Sequence, residues 1–300
     1  MNESTRSEAP YSFGKRNSSS ALYDRIFTGL VWGIGILVIL FIVGLLFMLL
    51  KNGLPKLTWD FLYSIPSEIE EGGGIGPALF NSFYLLAISL IISIPIGLAA
   101  GIYLAEFAPN NKLIDFVRIC VEGLSSVPSI IFGLFGIALF VEMFQIGLTI
   151  LGGAISLAFL NLPMLTRITE ESIRAVPVEM KNASFALGST HLQTIRRVLI
   201  PVALNGLITG ICLTAGRAFG ESAVIILTAG VTTSGVMWDF NLFSPGETLA
   251  VHLWYVQSEA IVPDAQEIAQ KATSVLIFIV LLINIVFRVP LWLNSRKTKS

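Results

Sequence analysis

Along this chain the apolar residues gather into long runs separated by short polar stretches. Runs at 26–50, 77–107, 113–141, 148–168, 202–229 and 268–293 each approach or exceed the roughly 20 residues a helix needs to cross a bilayer. The pattern predicts an all-α integral membrane protein with six transmembrane helices. Residues 1–22 are Ser-rich and lack an apolar period, so they are expected to form a disordered tail. The first run is too long for a signal peptide and has no small-residue cleavage site after it, so it reads as a retained anchor. The expected organisation is a tail at 1–22, a first span and external loop at 23–76, a core at 77–293 and a short tail at 294–300.

Between the runs, three stretches have a pattern of their own. In GGGIGP at 72–77 the glycines lack the Lys-Ser/Thr of a phosphate-binding loop, and the segment reads as a flexible turn with Pro77 opening a helix. In the 230–267 stretch, Leu249, Leu253, Val256 and Ala260 fall at helical spacing, which suggests an amphipathic helix lying at the outer face. In 174–201, RAVPVEMKNASFALGSTHLQTIRRVLIP, Pro177 starts a helix over Val178 to Leu187 and Gly188 ends it. A second helix is expected over Thr190 to Leu199, with Arg196 and Arg197 at its C-terminal end. Two short helices without a core need a partner surface to stay folded.

Charge then sets the orientation. With six crossings, the N-terminus shares a side with the loops 108–118 and 167–201 and with the C-terminus. Of the nineteen Lys and Arg residues, all but Lys51, Lys56, Lys271 and Arg217 lie on that side, which makes both termini cytoplasmic. Composition agrees: the chain is 54% hydrophobic and 13% charged, whereas a soluble domain is about 25% charged.

Little in the sequence points to chemistry of its own. Cys120 and Cys212 both fall within expected spans and read as small buried apolar residues. With only His191 and His252 beside them they make no zinc set. No P-loop, HExxH or GxSxG pattern is present. The exception to the apolar pattern is GRAFGES at 216–222. An Arg at mid-bilayer costs about 2.5–3.5 kcal/mol on insertion scales, so it faces protein or water. Arg217 and Glu221 stand four apart, on one face of a continuous helix, where they pair. They either lock helices together or contact an oxyanion on a translocation path, for which a guanidinium fork is suited. In the second case Glu221 would temper Arg217. Gly216 and Gly220 have the spacing of a close helix approach. In SSVPS at 125–129, Pro128 interrupts the third span, and Ser125 and Ser126 either line a polar path or patch the broken helix. Glu122 is expected to face the interior, paired or protonated. Arg167 closes the fourth span as an anchor or, less in keeping with its edge position, as an exit-path contact.

The 174–201 stretch also resembles the EAA motif of ATP-binding-cassette importer permeases. Asn182-Ala183-Ser184, Gly188 and Val198-Leu199-Ile200-Pro201 match its spacing, with Asn182 in place of the motif's Glu. GGGIGPALFNSFYLL, IYLAEFAPNN, VEGLSSVPSIIFGLFGIALF, ALGSTHLQTIRRVLIP and AGRAFGESAVIILTAG are similar to permeases of the phosphate-specific transport family, of the PstA type. The resemblance implies the type I (MetI-like) importer permease fold, with 174–201 as the coupling loop that docks on an ATPase. It implies a bacterial inner-membrane subunit working with a second permease (PstC type), an ATPase dimer (PstB type) and a periplasmic phosphate-binding protein (PstS type), in contact with lipid and inorganic phosphate but not nucleic acid. ATP and Mg would be bound by the partner ATPase, and this chain would hold no cofactor and catalyse no reaction. Sulfate or molybdate import is the alternative, and a self-sufficient anion channel a further one. A channel would have no use for the coupling loop.

Overall fold

The computed structural model describes residues 18–67 and 71–297. These form helices α1 (Ser18–Gly53), α2 (Trp59–Tyr63), α3 (Gly76–Ile102), α4 (Lys112–Ser125), α5 (Ser129–Gly136), α6 (Ile150–Arg174), α7 (Val178–Ala186), α8 (His191–Thr194), α9 (Ile200–Phe219), α10 (Ala223–Thr228), α11 (Leu249–Ser258) and α12 (Ala265–Lys297). The chain divides into two units, 1–48 and 49–300, rather than at the expected boundary near residue 76. The first unit is most of α1, whose side chains from Leu30 to Met48 are apolar on every face and, Leu46 apart, exposed, as a lipid-facing span requires. Residues 18–22 and 294–297, expected as tail, are helical, because α1 and α12 run on past their apolar runs. The remainder of both tails lies outside the described residues.

Five helical stretches are long and apolar enough to cross a membrane: Leu22–Lys56, Gly76–Phe107, Ile150–Arg174, His191–Phe219 and Ala265–Val286. The expected third span is instead a pair, Lys112–Ser125 and Ser129–Met143, bent by 94°. Glycine contacts decide whether that pair crosses. A Cβ at Gly153 would stand 3.2 Å from Leu85, one at Gly97 2.7 Å from Leu165, and one at Gly101 2.4 Å from Thr169. These pairs advance together along both helices, so α3 and α6 lie parallel. The chain must therefore return across the membrane between them, and the bent pair is the only segment available. With the bent pair counted as one span, the described residues hold six candidate crossings.

The same contacts show where helices meet closely. Gly97 and Gly101 seat α3 on α6, while Gly206 and Gly210 seat α9 antiparallel on α6, against Ser172 and Ile168. Small residues allow close backbone approach where lipid offers no hydrophobic drive. A Cβ at Gly216 would stand 3.3 Å from Asn284 Nδ2 of α12, but Gly220 serves no such approach, since a Cβ there would meet nothing nearer than 3.9 Å. The main core gathers Leu85, Leu157, Phe219, Val224 and Ile225 with Leu249, Val251, Ala272 and Ile279.

Other expectations are corrected at this level. The fifth run is not one helix: α9 ends at Phe219 and α10 begins at Ala223. The helix α11 exists but is not laid on the outer face. Leu249 and Val251 are fully buried and His252 nearly so, so its sequence period marks a core contact. The 72–77 segment is tightly packed rather than flexible: a Cβ at Gly74 would stand 2.0 Å from Ser64 Oγ and 2.7 Å from the Phe61 carbonyl. Cys212 is buried, but Cys120 is exposed on α4, because the bend turns that face of α4 outward.

Candidate functional site

Arg217 sits in the last turn of α9. That helix ends because Gly220 leaves the α conformation (φ −90°, ψ 2°). Glu221 therefore falls outside α9, and its carboxylate turns to the next helix, accepting from the N–H groups of Ala223 at 3.1 Å and Val224 at 3.4 Å. It caps α10, whose first N–H groups have no helical partner. The expected Arg217–Glu221 pair is thus absent: four residues apart means one face only if the helix continues. Arg217 is exposed, and among the described residues it makes no hydrogen bond or ion pair. Continued along α9, the antiparallel register with α6 sets Arg217 level with Asn161, and the parallel register sets Asn161 level with Ser93. Both are fully buried in mid-helix, and Asn161 Nδ2 and Ser93 Oγ have no hydrogen-bond partner. Residue 217 is therefore level with the middle of α6.

A second helix break lies at Ser126–Pro128. Ser125 Oγ donates to the Glu122 carbonyl and Ser126 Oγ to that of Gly123, both at 2.7 Å. These hydroxyls bond carbonyls in the last turn of α4, that of Gly123 accepting also from the Ser126 N–H at 3.1 Å. The two interrupted segments pack on each other, with the Cβ position of Gly133 in α5 3.1 Å from the Ala223 carbonyl of α10. Irregular backbone at membrane depth is tolerated only where protein or water covers it. Near Arg217 the exposed Gly220 marks such a place on the chain's surface.

The structure joins two other expected residues. Glu122 and Arg167 pair at 3.0 Å, and Arg167 also binds Glu171 at 2.9 Å. Glu122 is paired, as one expectation had it, but its side chain is 64% exposed rather than buried in the chain's interior. Alongside, Arg118 binds Asp115 and Glu170, and Arg174 also binds Glu170.

The 174–201 loop is organised around Gly188, whose φ of 79° glycine adopts readily because it has no Cβ. α7 carries Asn182 and Ala183 exposed and Ser184 buried, with Ser184 Oγ 2.9 Å from Thr194 Oγ1. Thr190 forms a capping box with Gln193 at the start of α8. The second expected helix is not separate: α8 runs through a π segment, Ile195–Leu199, directly into α9. Pro201 explains the wider turn, since it cannot donate to the Arg197 carbonyl and its ring would clash there in a regular helix. Arg196 and Arg197 accordingly lie within a continuous helix, not at its end. Leu187 and Leu192 are 87% and 70% exposed, an apolar face with no cover in this chain. The sequence reading passed over Glu106, which holds this loop through Lys181 and His191. Its only sequence signal was a lone acid at the end of an apolar run.

The fold is that of a polytopic helical membrane protein with a two-helix loop at 174–201. Residues 97–299 match the family described as binding-protein-dependent transport system inner membrane component. The chain belongs to that family, and it is an ABC importer permease subunit of the inner membrane. It is 43% identical to the probable ABC transporter permease protein YqgI of Bacillus subtilis (strain 168), over 91% of this chain and 95% of that one. It is 31% identical to the phosphate transport system permease protein PstA of Haemophilus influenzae (strain ATCC 51907 / DSM 11121 / KW20 / Rd), over 89% and 93%. Among solved structures, the inward-facing MetNI methionine ABC transporter is similar in fold, with a TM-score of 0.56 and 23% identity, over 70% of this chain and 91% of that one.

Proposed function

We propose that this chain is the permease subunit of an ATP-driven inorganic phosphate importer and forms half of its translocation path. The observation that carries the reading is Arg217: an exposed arginine level with the middle of α6 and without a partner among the described residues. Such a group is costly against lipid, so its face meets water, an anion or a second subunit. A planar fork binds a tetrahedral oxyanion through two parallel hydrogen bonds. Because Glu221 is occupied at α10, the positive charge is available to an anion rather than neutralised within the chain. The similarity to phosphate transport system permeases supports phosphate over other oxyanions.

In this reading a second permease of the PstC type completes the path, and a PstB-type ATPase dimer binds ATP and Mg and docks on the exposed apolar face of α7 and α8. A PstS-type binding protein delivers the anion. Ser125, Ser126, Glu122 and Arg167 belong to the cytoplasmic half of the path, with the Glu122–Arg167 pair near its mouth. The test is to purify the complex with its neighbouring subunits and measure ATP hydrolysis and uptake in proteoliposomes. Phosphate should stimulate both. Stimulation by sulfate or molybdate and not by phosphate would reassign the substrate, and anion flux without ATP would make the chain a channel.

A further inference from the structure

The second span closes in a π segment, Tyr103–Phe107, and two sets of polar contacts meet there. A π turn bonds each N–H one residue further back than an α turn, here Ala108 to the Tyr103 carbonyl at 2.9 Å. Carbonyls at such an end need outside donors. The Leu104 carbonyl accepts from Arg118 of α4 at 3.1 Å and from Arg174 of α6 at 3.5 Å. One turn away, the Glu106 side chain is only 7% exposed. It binds Lys181 of α7 and, at 3.1 Å, His191 at the start of α8. The His191 ring is held between Phe107 and Phe185, at 4.7 and 6.0 Å.

We propose that Glu106 is a positioning residue for transport, tying both arms of the coupling loop to the end of α3. The proposal rests on the reading of 174–201 as a docking element for a partner ATPase. Three features assign Glu106 this part. First, it is bound by side chains from both sides of the Gly188 bend, so α7 and α8 cannot move apart without releasing it. Second, the other buried polar tie of α7, the Ser184–Thr194 pair, joins it only to α8 and so to α9, and does not reach α3. Third, α3 is seated on α6 through Gly97 and Gly101, and the Leu104 carbonyl joins the same segment to α4 and α6. A displacement of α7 is thus delivered to α3 and passed to the helices that carry Glu122 and Arg167. A carboxylate suits the role because it can accept from two donors at once, and a buried ion pair that loses one partner is strongly destabilised.

The experiment uses the full complex in proteoliposomes. It reads assembled complex, ATP hydrolysis, and phosphate taken up per ATP, for wild type, Glu106→Ala, Lys181→Met, His191→Leu and the exchange of Glu106→Lys with Lys181→Glu. Glu106→Ala should assemble and hydrolyse ATP while uptake per ATP falls about tenfold, the scale of one lost charge-assisted contact. Lys181→Met and His191→Leu should each cost less than the two combined, since the remaining partner still holds the carboxylate. The exchange should restore most of the ratio. An unchanged ratio in Glu106→Ala overturns the proposal. Loss of assembly in Glu106→Ala that the exchange does not repair also overturns it, leaving Glu106 as a structural clamp. A wild-type complex without ATP-driven uptake would remove the docking reading itself, whereas coupled wild type beside an unaffected variant removes this proposal alone.

Discussion

Arg217 and Glu221 stand four residues apart and have separate tasks, because the helix that would have paired them stops between them. Arg217 should matter for its fork as well as its charge. Arg217→Lys keeps the charge and loses the second parallel bond; Arg217→Ala loses both. A charge-assisted hydrogen bond contributes about 1.5–3 kcal/mol, so uptake should fall about 10- to 100-fold in the Ala variant and less in the Lys variant. Assembled complex, measured by co-purification of the partner subunits, should stay constant. Loss of complex in step with loss of uptake would place Arg217 in helix packing. Glu221 should instead behave as a cap. Glu221→Gln keeps an acceptor for the first turn of α10, whereas Glu221→Ala removes it at a cost of about 1 kcal/mol. A thermal melt of the complex should show a lower midpoint for Ala than for Gln, and equal midpoints would refute the capping role. The sequence made the isolated charge of Arg217 visible. It could not show that Glu221 turns away, because Gly220 permits a helix end without requiring one, and α10 is held apart by its packing on α5 at Gly133.

Among the elements, the coupling loop was the most legible. Pro177, Gly188 and the capping residues act through neighbours in sequence, and these local signals placed α7 correctly. The continuity of α8 with α9 was hidden, since a π turn before Pro201 leaves no mark in apolar spacing. Gly188 has open space around its Cβ position and a φ of 79°, so any penalty there comes from the backbone alone. Gly188→Val should cost at least the 1–2 kcal/mol of a left-handed residue and uncouple ATP hydrolysis from uptake, while Gly188→Asn, which tolerates that region, should remain coupled. Equal coupling in both would show that the bend is not needed. The α3–α6 contact is the opposite case, limited by space and not by φ. At Gly101 an added Cβ would lie 2.4 Å from Thr169 Cβ and 2.6 Å from the Thr166 carbonyl. Gly101→Ala should destabilise by about 1–3 kcal/mol, as overpacking does, read as a lower thermal midpoint of the complex. The spacing of Gly97 and Gly101 was present in the sequence, but many small residues share it, and only the structure shows which pairs meet.

For the whole molecule, apolar run length and the sidedness of Lys and Arg were enough to anticipate six crossings. What they left out is that two of the apolar runs are interrupted in the membrane and pack break against break. Hydropathy averages over a window and does not register a bend of 94° or a helix that ends at Gly220. Those interruptions bear directly on the central claim, that the face of α9 carrying Arg217 borders a water-filled anion path. Leu213, one turn before Arg217, is also exposed and leaves the guanidinium intact when replaced. The direct measurement is the labelling rate of Leu213→Cys by a water-soluble thiol reagent in the assembled complex, with Cys120 and Cys212 changed to Ser and Ala. The account predicts that the cysteine is labelled during ATP turnover, and that phosphate slows the labelling while sulfate does not. A cysteine that stays unreactive in every nucleotide state, or reacts at a rate phosphate does not alter, would contradict it.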